Sequence, residues 1–432
     1  MKLREYQDKG ADFLYNNDRA IILASVGAGK TALTLVAMSD MLRDGFVSRW
    51  LVVAPKRVCL HTWTTELIKW APHLSMAIAV GAPKERIAAL EANTGVCVVN
   101  YDCLQWLSEQ SLNFDGIVFD ELTRLSNPSG LRFKALLKIL ENIRIRWGLT
   151  GSFTSNGLEN VFGQCKVINE RLLGRAKGAF LQQYFYCVNR DFGEWEPIPY
   201  ALEQVMERIK PATFLLENSE YKDGLPPLHI VEMHCEIKDR KPYDTLKKEF
   251  VVNFPTAEII AANAGVVTQK LTQLASGFIY DPAHNPIWHS YHKFELLDEI
   301  LEENQHANTL IFYNFKAELA ELQLRYPHAV MLDAPDAIER WNRGEIELLL
   351  AHPKSAQYGL NLQHGGSKIV FTTLPWSLTD FEQAIGRLHR SGQTDAVYVY
   401  VLMANKTIDD HILGSLYDKK SISELALEAL RT

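Results

Sequence analysis

Cysteine pairs are missing from this chain. Its six cysteines (Cys59, Cys97, Cys103, Cys165, Cys187 and Cys235) are scattered with no Cys-x-x-Cys spacing. That argues against a zinc site and against a disulfide framework, and it suits a reducing cytosol. Cys97 and Cys103 read as core thiols. Long apolar runs are missing too: nothing approaches the roughly 20 uninterrupted apolar residues of a membrane span, so no membrane partner is expected. The opening "MKLREYQDKGADF" has charges with no apolar block behind it, unlike a secretory leader. Nor is there an excess of positive charge. Lys and Arg number 45 against 52 Asp and Glu, a formal net charge of −7. The molecule as a whole therefore repels polyanions, and any contact with nucleic acid must rest on a local basic surface.

What is present is an ordinary globular composition, 47% hydrophobic and 22% charged, over 432 residues, long enough for two or three cores. The first third alternates short apolar runs ("AIILAS", "WLVVAP", "MAIAVG", "VCVVNYD", "GIVFDE", "RWGLTGS") with helical stretches such as "TALTLVAMSDMLRDG" and "LRFKALLKILENI". A second series begins near residue 309 with "TLIFYNF", "AVMLDA", "IELLLA", "KIVFTT" and "VYVYVLM". Apolar runs between helices imply parallel sheets covered on both faces. Two series imply two α/β lobes, each a parallel sheet flanked by helices. The rhythm breaks from about 155 to 300, where "PYALEQVMERI" and "YDTLKKEFVVNF" read as helices. The boundary is placed before the proline pair of "KDGLPPLHIVEMHCEI". This gives an N-terminal lobe at 1–221 with a helical insertion after about 155, and a C-terminal lobe at 222–432 with one at about 240–300.

The strongest local signal is "AIILASVGAGKTALTL". An apolar strand runs into Gly27 and Gly29, and Lys30 and Thr31 open a helix. Glycines let backbone N–H groups wrap closely around phosphate oxygens, and the helix N-terminus adds partial positive charge. In such a loop Lys30 reaches the terminal phosphates and the Thr31 hydroxyl ligates Mg²⁺. Ala24 stands where the usual pattern begins with glycine. "IVFDELTRL" places Asp120 and Glu121 where a buried strand ends, the catalytic edge of a parallel sheet. Asp120 is expected to hold the metal, and Glu121 to orient and deprotonate an attacking water.

"QAIGRLHRSGQ" places Arg387 and Arg390 three residues apart near the end of an expected helix, on one face. The plain reading is a solvated pair. With a phosphate loop upstream, a second reading opens: an arginine finger, which accelerates phosphoryl transfer by roughly 10³–10⁵. Because these arginines belong to the second series, hydrolysis would then be coupled to lobe closure.

Together these motifs resemble helicase superfamily two, specifically the Swi/Snf-type DNA translocases and most closely their small prokaryotic and phage-encoded branch. The resemblance runs from "LREYQDKGADFL" through "DELTRLSNPSGLRFKAL" to "QAIGRLHRSGQ". It implies two RecA-like lobes, ATP and Mg²⁺ as cofactors, and double-stranded DNA as partner. The expected place is the cytoplasm of a bacterial or phage-infected cell. It assigns Gln7 to the adenine edge, and Gly359, Gln383, Arg387 and Arg390 to ATP contacts. "LVVAPKRVCLHTW" resembles the motif that touches a nucleic-acid strand, through Pro55 and Lys56. "GLTGSFTSNGLENV" resembles the motif linking ATP state to DNA grip, with Thr150 and Ser152 as its hydroxyls.

From the residues alone, Trp376 either packs against a strand of DNA or caps the core. Basic residues cluster in "RFKALLKILENIRIRW" and "KDRKPYDTLKKEF", each readable as a solvated face. No zinc finger or aromatic-plus-basic sequence reader is present, which fits contact with backbone rather than bases. The expected function is ATP-driven movement along duplex DNA. The alternatives are a strand-separating DNA or RNA helicase on the same fold and a nucleotide-dependent binding switch.

Overall fold

The computed structural model describes residues 2–25, 27–155, 157–189, 194–216, 225–254, 257–261, 263–355 and 360–431. The chain divides into two compact units. The first comprises residues 1–223 with 419–432, and the second residues 224–418. The expected boundary at 221/222 lies outside the described residues. The linear division also had no place for the return of the C-terminus to the first unit.

In the first unit the strands are β1 (Arg19–Leu23), β2 (Trp50–Ala54), β3 (Met76–Ala79), β4 (Val96–Asn100), β5 (Gly116–Asp120), β6 (Ile145–Thr150), β7 (Phe185–Asn189), β8 (Glu194–Pro197) and β9 (Thr213–Leu215). Seven of them form one sheet in the order β3-β4-β2-β5-β6-β1-β9. Every neighbouring pair in it is parallel. β2, β4 and β5 are buried at every residue, which is why each reads as an unbroken apolar run rather than an alternation. β3, at an edge, is only partly buried. One face is covered by the helices Leu131–Leu140, Val161–Ile168 and Ala201–Ile209. Phe133, Leu136, Phe162 and Met206 meet Ile21, Val53, Ile117 and Phe119 there. Ala426 and Leu430 of the last helix, Ile408–Arg431, join the same core.

The second unit holds β10 (Leu228–Cys235), β11 (Val251–Phe254), β12 (Ala257–Ile260), β13 (Phe278–Tyr280), β14 (Pro286–Trp288), β15 (Thr309–Phe312), β16 (Val330–Met331), β17 (Leu348–Ala351), β18 (Lys368–Phe371) and β19 (Val397–Ala404). Its six-stranded sheet has the order β10-β19-β18-β15-β17-β16 and is parallel throughout. Alternation along β15 sends Leu310 and Phe312 to a core with Trp341 and Phe381, and Ile311 to one with Phe294 and Leu297. The two expected parallel sheets flanked by helices are thus both present.

The middle of the chain departs from its expected helical character. "YDTLKKEFVVNF" is a helix only over Lys241–Glu249. Phe250 turns at φ +60°, and Val251–Phe254 then pairs antiparallel with β12. The β-branched Val251-Val252 pair favours the strand over helix continuation. Two further ribbons, β7 with β8 and β13 with β14, occupy the same region. β9 was not anticipated. Its three residues extend the first sheet beyond β1.

Candidate active site

The glycine loop follows β1 directly, and Ala24 N–H donates to Thr150 O at 3.0 Å, tying it to the end of β6. Gly27 and Gly29 have φ of +87° and +80°, a region L side chains avoid, and Gly29 caps the helix Lys30–Arg43. Val26, which precedes Gly27 in the loop, lies outside the described residues. A Cβ at Gly29 would stand 2.1 Å from Gln7 Nε2, so beyond the backbone preference any side chain there must displace the Gln7 amide. The Lys30 ammonium donates to Ala24 O at 2.7 Å and Ser25 O at 3.1 Å, across the mouth of the loop. Thr31 is half-buried in the first turn of the helix.

Gln7, expected to read a base edge, is buried and engaged locally. Its Oε1 accepts from Arg4 N–H at 2.9 Å, and its Nε2 donates to Ala28 O at 3.3 Å. The amide therefore braces the loop in this structure.

Asp120 and Glu121 end β5. Asp120 is buried, and burial, reinforced by the Glu121 charge, pushes its carboxyl up to about 6. The Lys30 ammonium and a hydrogen bond from Trp63 act in the opposite direction. That bond runs from the indole Nε1 to Asp120 Oδ2 at 2.9 Å. Tyr101 OH donates to Asp120 O at 2.7 Å, holding the backbone. Glu121 itself sits at φ +62°, rare for a residue with a side chain, where the strand breaks into the 3₁₀ turn Leu122–Leu125. Trp63 reaches Asp120 because the chain after β2 makes a π-helical turn, Val58–Thr62, before the helix Trp63–Trp70. Such turns recur at functional sites. Neither Trp63 nor Tyr101 was assigned a role from sequence. The sequence signal for Trp63 is its place at the end of "LVVAPKRVCLHTW". Tyr101 gave none.

Lys30, Thr31, Asp120 and Glu121 are thus gathered at the carboxyl edge of the first sheet. Among the described residues no group of three His, Cys, Asp or Glu side chains could hold a metal by itself. Mg²⁺ needs no such group: one or two carboxylates, a hydroxyl and phosphate oxygens suffice. The hard oxygens of Asp120 and Thr31 fit that pattern, and the raised Asp120 carboxyl is one that a dication would stabilise.

In the second unit the expected helix ends at Ile385, so Arg387 and Arg390 lie in the turn after it rather than on its face. They converge for another reason: Arg387 Nη1 and Arg390 Nη1 both donate to Leu360 O, at 3.3 and 3.1 Å. Arg387 is buried and also donates from Nε to Gln383 O at 3.1 Å. Gln383 is buried beside it. Gly359 lies outside the described residues.

The residues expected on nucleic acid are placed unevenly. Pro55 is buried and accepts from Cys59 N–H, while Lys56 is exposed. Thr150 is 0% exposed and its hydroxyl donates to Ser152 O. Ser152 Oγ lies 2.9 Å from Ser423 Oγ on the last helix, a link no local sequence feature signals. Trp376 is 36% exposed and meets the His411 ring edge-on. Several basic candidates are tied to protein acceptors: Arg132 to Asp102, Arg144 to Asp18, Lys238 to Glu295, and Arg240 to Asp244.

A glycine loop opening a helix, with an acidic pair on a strand two places away in the same parallel sheet, is the arrangement of a P-loop fold. Comparison with known proteins is more specific. Residues 6–274 match the SNF2-related domain, and residues 292–392 the helicase conserved C-terminal domain. The chain belongs to the SNF2-related family, with two RecA-like lobes. It is 33% identical to putative protein p41 of Acyrthosiphon pisum secondary endosymbiont phage 1, over 99% of this chain and 98% of that one. It is 24% identical to an uncharacterized ATP-dependent helicase of Mycoplasma genitalium, over 98% of this chain but only 42% of the relative. Among solved structures it resembles the Sulfolobus solfataricus SWI2/SNF2 ATPase core in complex with dsDNA, at 20% identity and TM-score 0.47, over 99% of this chain and 93% of that chain. The chain thus spans nearly all of the phage protein and under half of the Mycoplasma relative. No helix among the described residues is long and apolar enough to cross a membrane.

Proposed function

We propose that this protein is a DNA-stimulated ATPase that moves along double-stranded DNA, hydrolysing ATP to ADP and phosphate. The observation that carries the reading is the meeting of the Gly29-Lys30-Thr31 turn with Asp120 and Glu121 at one sheet edge, in a chain of the SNF2-related family. Relatives named as an ATP-dependent helicase and a probable ATP-dependent DNA helicase support the substrate and the partner.

In this reading the N–H groups of the loop and Lys30 bind the phosphates, and Thr31 and Asp120 hold Mg²⁺. The metal supplies charge neutralisation on the phosphate oxygens. Glu121 orients the attacking water and accepts its proton. Arg387 and Arg390 offset charge that develops on the transferred group. Gln7, which braces the loop, couples the base end of the nucleotide to it, and Gly359 and Gln383 complete the contacts. Lys56 and Trp376, both accessible, are the first residues to consider on the DNA, with Pro55, Thr150 and Ser152 behind them. Net acidity restricts DNA to such local contacts, which suits backbone tracking without sequence readout.

The decisive experiment is ATP turnover against duplex DNA, single-stranded DNA and RNA at matched low ionic strength. Strong stimulation by the duplex is expected. Stimulation by single strands or RNA alone identifies a strand-separating helicase instead. A Glu121→Gln protein that binds ATP, cannot hydrolyse it and still does its biological work would identify a binding switch.

A further inference from the structure

The opposite edge of the first sheet carries a second concentration of cations. Arg19 opens β1 and Arg146 stands near the start of β6, directly paired in register. The glycine loop leaves the other end of β1, so four strand residues, roughly 13 Å at the usual rise, separate the two edges. Arg19 and Arg146 line a cavity of about 590 Å³, together with Lys166, Arg171 and Arg175. That volume is in the usual range for a small-molecule site.

Part of this charge has a structural use. Arg146 donates to Leu140 O, Ile143 O and Val167 O, and Arg19 donates to Ile168 O at 3.0 Å. These carbonyls lie at or just beyond the C-terminal ends of the helices Leu131–Leu140 and Val161–Ile168, where a cation is favourable. Helix capping does not account for the whole set. Two guanidinium groups are held half-buried and adjacent, and burial lowers both, Arg146 to about 10 with Arg19 adding to the effect. Lys166 spends its ammonium on Arg175 O, and Arg175 pairs with Glu170 at 3.1 Å. Among the described residues, Arg19, Arg146, Lys166 and Arg171 make no ion pair with a carboxylate. Five cations thus line one cavity with only two acids, Glu141 and Glu170, leaving a local excess of positive charge.

We propose that this cavity binds the phosphate group of a small phosphate monoester. A phosphate monoester carries about −1.5 to −2 charges near neutral pH and several acceptor oxygens, and guanidinium groups match it with paired N–H donors. The remaining walls define the rest of the molecule. Leu137 and Leu140 offer an apolar side, and Glu141 can accept from a hydroxyl. A sugar phosphate has these features. A DNA backbone carries no free hydroxyl along its length for Glu141 to accept from. The site lies away from the ATP loop and is independent of the translocase reading.

The test is calorimetric titration of the full chain with ribose 5-phosphate, after its ATP loop has been saturated with a non-hydrolysable ATP analogue and Mg²⁺. One further molecule is expected to bind, with ribose itself binding at least about tenfold more weakly. Arg171 and Arg175 are exposed, so Arg171→Glu/Arg175→Glu is expected to fold, keep its affinity for the ATP analogue and lose about tenfold in affinity for ribose 5-phosphate. Lys166→Gln gives a second, milder variant with a loss in the same direction. No binding, equal binding of ribose, or affinity unmoved by both variants would overturn the proposal. Displacement of ribose 5-phosphate by a short DNA duplex would also overturn it, assigning the cavity to backbone phosphate.

Discussion

Trp63 and Asp120 lie 57 positions apart in sequence, and the indole N–H of one donates to the carboxylate of the other at 2.9 Å in the interior. Asp120 is the group expected to face the metal, so the π-helical turn that delivers Trp63 belongs to the chemistry as much as to the core. Trp63→Phe keeps an aromatic ring and removes the donor. Leaving a buried carboxylate oxygen unsatisfied costs about 1–3 kcal/mol, to be read as a lower urea midpoint. ATP turnover should fall roughly tenfold and need more Mg²⁺. Turnover and Mg²⁺ dependence equal to wild type would show that Trp63 only packs.

Gly29 is constrained twice, by φ +80° and by the nearness of Gln7. Gly29→Ala should therefore weaken binding of an ATP analogue. Adding Gln7→Ala removes the contact but leaves the backbone strain, about 1–2 kcal/mol, so the double variant should recover only part of the affinity. Full recovery would mean that contact alone dictates the glycine.

The two arginines should behave differently. Arg387 is 2% exposed and bonds to Gln383 O as well as Leu360 O, so Arg387→Ala should lower both stability and turnover. Arg390 is half-buried, and Arg390→Ala should leave the unfolding midpoint nearly unchanged while turnover falls at least about tenfold and ATP affinity is retained. Lost affinity with normal turnover would contradict a role in the transition state.

His292 provides a pH test in the second unit. It is buried, with Nδ1 against Ser290 Oγ and Nε2 against Ala275 O, and burial followed by the Lys293 charge lowers it from 6.5 to about 4. The unfolded chain takes up this proton near pH 6.5 and the folded chain only near 4. Its contribution is therefore fully present above 6.5 and lost as pH falls to 4, on the order of 3 kcal/mol. Urea unfolding across that range should show His292→Gln losing less stability than wild type. Parallel curves would place the proton uptake elsewhere.

The sequence by itself determined what is local. Apolar runs such as "GIVFD" announce strands buried on both faces, and the order of strand, glycine loop and Lys30 helix is visible because each part follows the last. It could not show that Phe250 stops a helix and lets Val251 begin a strand, since isolated propensities do not say which tendency wins. Nor could spacing place Arg387 and Arg390. Their convergence depends on Leu360 O, contributed by a distant loop, and not on a helical face. Tertiary structure alone decided the partners across long separations: Trp63 with Asp120, Ser152 with Ser423, Arg19 with Arg146. Such contacts are set by how parallel strands stack and helices cross them, a cooperative packing problem that no window of neighbouring residues contains.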